Sequence, residues 1–97
     1  PEVVRANVDV HEGHSSPSPG PYHQTSYEVG SPDVFTNNEP TVRIGDTTIC
    51  GDEAAAGSGT VYVNNIAVHR KLDATTGHGS WEANAAKTGS PTVFADS

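Results

Sequence analysis

The chain has few of the residues from which small proteins usually build a core. Its 97 residues include no methionine, one tryptophan and one cysteine, and only 33% are hydrophobic. A domain of this size with so little apolar material usually needs a disulfide, a metal or a partner for stability. The single cysteine, Cys50, excludes an internal disulfide, so we expect a metal or a partner.

Basic residues and long apolar runs are also scarce. Five Lys and Arg stand against twelve Asp and Glu, which gives a net charge of −7. That charge argues against nucleic acid as a partner. No apolar run approaches the roughly 18 residues of a membrane-spanning helix, and no signal-peptide pattern is present. We therefore expect one small domain, 1–97, that meets a membrane only mechanically or through a partner.

What the chain does contain is a repeat. The segment 30–46, GSPDVFTNNEPTVRIGD, recurs without a gap at 57–73 as GSGTVYVNNIAVHRKLD, and it begins again at 89–97 as GSPTVFADS. The half that the third copy lacks resembles PEVVRANVD at 1–9. Repeated units build a common core, so we expect the first segment to pair with the last and close a threefold ring. The alternative is an open row of three hairpins with frayed ends. The three repeats are then about 30–56, 57–88, and 89–97 completed by 1–29.

Each repeat has the pattern of a β-hairpin, which predicts an all-β fold. The pairs Asn37-Asn38 and Asn64-Asn65 follow alternating apolar residues, and asparagine accepts the positive φ of a two-residue turn. Pro40 favours an edge or a strand start, since it lacks an N–H. The segment 53–56 is at most one short helical turn.

Three loops rich in Gly, Ser, Pro and His connect the hairpins and carry potential metal ligands in a common register. His14, Cys50 and His78 fall four or five residues after the closing aspartates of the three units, so closure would direct them to one axis. His23 on the longest loop is a fourth potential ligand. Three imidazoles and one thiolate suit a tetrahedral, structural zinc site, with iron as the weaker alternative.

Other residues in and near the loops have alternative roles. His11 competes with His14, although it is out of register with the other two loops. His69 aligns with Val42 inside a hairpin, and we expect it to be structural. Trp81 is expected to pack against the metal loops. A catalytic zinc would need an open position and a base such as Glu12, whereas four available ligands favour a closed, non-catalytic site.

The repeat resembles the PAAR-repeat family, whose unit reads approximately GSPxVxVNGxPxARxGD followed by a loop that carries His or Cys. The tetrapeptide that names the family stands here as PTVR at 40–43 and as AVHR at 67–70, so only its arginine is kept in both. Asn38 and Asn65 replace the turn glycine. The resemblance covers essentially the whole chain, and it is strongest to the small spike-tip members found in contractile-tailed phages.

The resemblance implies a short cone of three β-hairpin repeats with pseudo-threefold symmetry and a zinc ion near its apex. Its base would cap a trimeric β-helical spike, with one chain per trimer, in a phage tail or a type VI secretion system. Such a chain is a non-enzymatic tip that is made in the host cytoplasm, sits on the baseplate spike of the virion and helps it to pierce the bacterial envelope. The alternatives are a small zinc-dependent hydrolase and an adaptor that carries effector cargo.

Six apolar residues recur at matched hairpin positions and are the predicted docking residues. Alternation allows only one residue of each adjacent pair to face the spike, and the pattern does not say which. Alternatively, all six fill a thin core. They are Val34, Phe35, Val61, Tyr62, Val93 and Phe94.

The ligand assignment predicts the effect of removing a single donor. Replacement of Cys50 by Ser or of His78 by Ala should release the bound metal and lower the unfolding temperature, because so small a core depends on the metal. Metal analysis of the purified variants and thermal unfolding measure both effects. Full metal content and unchanged stability in either variant would show that the proposed site is wrong.

Overall fold

The structure is a computed structural model that describes residues 1–11, 25–49, 51–76 and 85–95. Its regular elements are two short antiparallel hairpins, in which β1 (Phe35–Thr36) pairs with β2 (Glu39–Pro40) and β3 (Tyr62–Val63) pairs with β4 (Ile66–Ala67). The described ranges contain no helix that is long and apolar enough to cross a membrane. The described residues therefore form a small, mostly β protein.

The asparagine pairs make the hairpin turns, as the sequence predicts. Asn37 and Asn38 have φ of 52° and 67°, and Asn64 and Asn65 have φ of 56° and 63°. Positive φ at both central residues is the geometry of a type I′ turn, whose twist matches that of the flanking strands. The turn residues therefore fix the register of both hairpins.

The strands are short, because the backbone changes its bridge partner after two residue pairs in each hairpin. The repeat pattern predicts return strands at 41–44 and 66–70, of which only Ile66 and Ala67 belong to a strand. Instead Thr41 bridges to Arg5 and Val68 bridges to Arg43, each in a different unit. Pro40 is the last residue of β2, opposite Phe35. No helical turn forms at 53–56, where Glu53 and Ala54 make antiparallel bridges.

The first and last described segments pair in the register of the hairpins. Glu2 bridges to Phe94 in antiparallel fashion, at the positions where Pro40 opposes Phe35 in the first hairpin. The Val3 N–H donates to the Val93 carbonyl at 3.0 Å, as the Thr41 N–H donates to the Val34 carbonyl at 3.1 Å. The two half-repeats thus complete each other.

A closed cycle of backbone hydrogen bonds joins the three units at the centre. The Val42 N–H donates to the Val4 carbonyl at 3.0 Å, and the His69 N–H donates to the Val42 carbonyl at 3.0 Å. The Val4 N–H donates in turn to the His69 carbonyl at 3.1 Å. All three residues are fully buried. Each unit therefore donates to one neighbour and accepts from the other, and no unit is terminal.

The core contains more polar than apolar residues. Nine hydrophobic and twelve polar or charged residues are buried among the described residues, so hydrogen bonds as well as apolar contacts must hold the interior together. The apolar cluster nearest the loops consists of small side chains around one tyrosine: Val4, Ala6, Tyr27, Val42, Ala54 and Ala86.

The recurring arginine and aspartate of the repeat form an ion pair in every unit. The Arg43 Nε and Nη2 donate to the two oxygens of Asp46 at 2.9 and 3.1 Å, and the Arg43 backbone N–H donates to the same carboxylate. Arg5 with Asp9 and Arg70 with Asp73 repeat this arrangement. Each carboxylate thereby pins the turn that follows its arginine, which explains why the spacing recurs in the sequence.

That turn has a left-handed residue in all three units. Asn7, Gly45 and Leu72 have φ of 71°, 94° and 74°, and each donates its N–H to the carbonyl of a loop residue. Asparagine and glycine tolerate this conformation, whereas leucine pays a steric penalty between its Cβ and the backbone. The Leu72 side chain is 68% exposed, so little packing offsets the penalty.

Replacement of Leu72 by Asn should therefore stabilise the protein, by about 1 kcal/mol, because it relieves this strain without removing buried area. Urea unfolding of the two proteins measures the difference. Val8→Asn is the matched control, since Val8 is also exposed but not left-handed. An equal gain from both substitutions would show that the effect comes from replacing an exposed apolar side chain and not from the backbone.

Candidate functional site

The four predicted metal ligands, His14, His23, Cys50 and His78, lie outside the described residues, as do Glu12 and Trp81. Within the described ranges no three His, Cys, Asp or Glu side chains are grouped so that they could hold a metal. What the structure describes is the part of the fold where the three loops leave and return.

The loop bases form a second ring of bridges. The end of each loop pairs with the start of the next: Tyr27 bridges to Thr48, Ala54 to Thr75, and Ala86 to His11. The backbone N–H groups of the same three returning residues donate to the backbone carbonyls of the aspartates that close the repeats, Asp9, Asp46 and Asp73, at 2.9 to 3.0 Å. All three loops thus start and finish in one layer of the structure.

His11 occupies a buried position in this layer. The Thr25 backbone N–H donates to its Nε2 at 3.0 Å, and the Thr25 hydroxyl lies at 3.0 Å from the same nitrogen. An N–H group can only donate, so Nε2 is an acceptor and the ring proton lies on Nδ1, which faces Asp52 Oδ2 at 3.8 Å. These contacts hold the His11 side chain inside the fold. His14 remains the predicted metal ligand of the first loop.

His69 is buried at the central cycle, in keeping with the structural role expected for it. Its Nδ1 donates to the Ala56 carbonyl at 2.7 Å, and its Nε2 accepts from the Tyr27 hydroxyl at 2.8 Å. Burial lowers the pKa of the His69 imidazole and raises the pKa of the Tyr27 phenol. Both partners, Tyr27 and Ala56, belong to the loop bases. His69 therefore ties the hairpin layer to the loop layer.

The predicted docking residues lie on the surface of the hairpins as two matched triplets. Val34, Val61 and Val93 are 39%, 38% and 38% exposed. Phe35, Tyr62 and Phe94 are 56%, 57% and 59% exposed. The alternative role, in which all six fill a thin core, is therefore wrong. The residue that follows each aromatic residue faces the core instead. Thr36 and Ala95 are buried, and Val63 packs against a second apolar cluster that contains Val3, Val68 and Ala95.

Side chains also tie each hairpin turn to its neighbour. The Ser31 hydroxyl donates to Asn64 Oδ1 at 2.6 Å, and Arg43 Nη1 donates to the same oxygen at 3.1 Å. Ser90 and Arg5 make the equivalent bonds to Asn37. The first asparagine of each turn therefore shapes its own hairpin and receives two donors from an adjacent unit.

Sequence reasoning missed some of these contacts. The recurrence of Ser31 with Ser90, and of Arg5 with Arg43, was a usable signal for contacts between units, because a residue kept in every copy serves the contact that every copy makes. Tyr27 and Asp52 have no such signal, since their counterparts in the other units differ. Only the fold shows that both are buried beside histidines.

The buried His69 predicts a specific pH dependence of stability. Its pKa is lower in the folded state than in the unfolded chain, so the unfolded state binds the proton first as pH falls below about 6.5. Stability should decrease there by up to about 1.4 kcal/mol per pH unit and level off once the folded-state pKa is passed. His69→Gln keeps one donor and one acceptor without titrating, and should remove this component of the slope. Urea unfolding between pH 5 and 7 measures it.

Tyr27→Phe is the matched control for that experiment. It removes one hydrogen bond, at a cost of about 1 kcal/mol, but leaves the imidazole to titrate, so the pH slope should persist. Identical slopes in the wild type and in His69→Gln would contradict the assignment.

Comparison with family models and with curated proteins identifies no relative of the chain. Its resemblance to the PAAR-repeat family therefore rests on the residues and spacing of its own repeats, and the function that the resemblance implies is a proposal.

Proposed function

We propose that the chain is a non-enzymatic, metal-stapled tip that caps and sharpens a trimeric β-helical spike of a contractile phage tail or a related secretion system. The observation that carries the proposal is the closed ring in which three similar units bridge one another through Arg5 with Thr41, Arg43 with Val68, and Arg70 with Val3. A single chain built in this way has three near-equivalent sides, and it can match three identical chains of a partner.

The surface of the hairpins supports the proposed binding to a trimeric partner. Six apolar side chains of the hairpins are exposed to solvent, although the protein has few apolar residues to spare for its core. Their nearly equal exposure in the three units is typical of a common interaction surface. A homotrimer whose strands end in a threefold arrangement would meet each triplet with identical surroundings. In the proposed complex the strands of the partner would add to the edges of the hairpins.

The ring of bridges between the loop bases supports the proposed metal site. It brings the two ends of every loop into one layer, and the loops between them carry His14 and His23, Cys50, and His78. Three loops that start in one layer can deliver ligands to one point beyond it. Those residues would hold zinc as a closed tetrahedral shell, which cross-links loops and contributes folding energy, with iron the weaker alternative.

The internal ties suit a mechanical role. The arginine–aspartate pairs hold the turn within each unit. The backbone cycle connects all three units, and the donors to Asn37 and Asn64 add contacts between adjacent units. Force applied to one unit is thereby shared with the others. A tip at the end of the virion's baseplate spike needs that property when contraction drives it into a bacterial envelope. The hydrolase alternative depends on Glu12, which lies outside the described residues, and the described contacts give no argument for it or for the cargo adaptor.

The proposal predicts the stoichiometry of a complex. Mixed with purified homotrimeric β-helical spikes of contractile systems, the chain should bind its cognate spike as one copy per trimer, measured by native mass spectrometry. Val61→Asp should weaken this binding at least about tenfold, because it places a charge in the docking surface. Val29→Asp is the matched control, since Val29 is 42% exposed but lies outside the hairpins.

Two results would count against the tip function. One is three copies bound per trimer, and the other is equal weakening by the two substitutions.

A further inference from the structure

We infer that the two docking triplets have different roles: the valines Val34, Val61 and Val93 form the dry centre of the interface, and the aromatic residues Phe35, Tyr62 and Phe94 form its wetted rim. The inference rests on the proposed function, because it assumes that the occupant is the end of a homotrimeric spike. It deepens that function by assigning affinity to particular side chains.

The first argument comes from symmetry. A homotrimer presents three identical surfaces, whereas this chain presents three units that differ in sequence. A position that is sealed against the partner in all three units must therefore carry the same side chain three times. The valine position meets this condition in residue type and also in exposure, which varies by only one percentage point among the three units.

The aromatic position does not meet that condition. Tyr62 carries a hydroxyl where Phe35 and Phe94 carry a hydrogen, and its only hydrogen bond among the described contacts is a long one to the Gly59 carbonyl at 3.5 Å. Three identical dry pockets would leave this hydroxyl desolvated in one of them, which costs affinity. A rim that stays in contact with water accepts both residue types without cost.

The exposure of the side chains supports the same division. Each valine stands two positions before a residue of the interior, Thr36, Val63 or Ala95, and Ala95 and Val63 pack in the apolar cluster with Val3 and Val68. The valines are 38–39% exposed, whereas the aromatic residues are 56–59% exposed. A partner therefore has less water to displace from the valines, and the aromatic residues are the more hydrated of the two triplets.

Two sets of matched substitutions test the division against a spike that binds the wild-type chain. Phe35→Tyr with Phe94→Tyr makes all three aromatic residues tyrosine, and Tyr62→Phe makes all three phenylalanine. Both variants should keep the dissociation constant within about threefold of the wild type, because a wetted rim tolerates a hydroxyl. Val34→Thr, Val61→Thr and Val93→Thr together keep the shape but add three hydroxyls to the centre, and should weaken binding at least about 100-fold.

Isothermal titration calorimetry measures the affinities, and thermal unfolding of each free chain checks that it is folded. The single Val61→Thr variant, which should weaken binding about fivefold, covers the case in which the triple variant does not fold. A tenfold or greater loss with either aromatic variant, or wild-type affinity of the threonine variants, would overturn the assignment while the tip function stands. Failure of the wild type to bind any trimeric spike would overturn both.

Discussion

The closed cycle of hydrogen bonds between the backbones of Val4, Val42 and His69 is the constraint on which the rest of the structure depends. Each of these residues is fully buried, so each N–H and carbonyl must find a partner inside the protein. A cycle of three satisfies all of them only when the three units are present together. The half-units at the two ends of the described chain are consequently needed to complete it.

The cycle also explains how a chain poor in apolar residues keeps a defined interior. Around it, each arginine–aspartate pair pins a turn, and each hairpin turn is tied to an adjacent unit through Asn37 or Asn64. Polar contacts that recur in every unit substitute for the large side chains that the composition lacks. They are directional, and so they favour one arrangement of the units in a way that apolar contacts alone would not.

Departures from threefold symmetry are concentrated between the hairpins and the loops. His69 stands where the other units have valine, and Tyr27 stands where they have alanine, so one hydrogen-bonded pair fills the space that smaller residues line elsewhere. His11 with Thr25 adds a second unsymmetrical contact in the same layer. The hairpin surface, by contrast, keeps its triplets at equal exposure. Symmetry is retained on the side that would meet a symmetrical partner and is lost on the side that would hold a single ion.

The repeat pattern alone determined the type I′ turns at the asparagine pairs, the all-β character and the pairing of the first segment with the last. The turns follow from local chemistry, since asparagine accepts positive φ. The pairing of the first segment with the last follows from the repeat, because the last copy lacks the half that the first segment resembles. The same pattern identified the six apolar hairpin residues. It did not predict whether they are buried, because a two-residue periodicity does not say which face meets the core.

Only the tertiary structure decided that the strands change partner after two residue pairs, that His11 and His69 are held inside the fold, and that Tyr27 joins two layers. These features depend on contacts between residues far apart in the chain, and no local pattern contains that information.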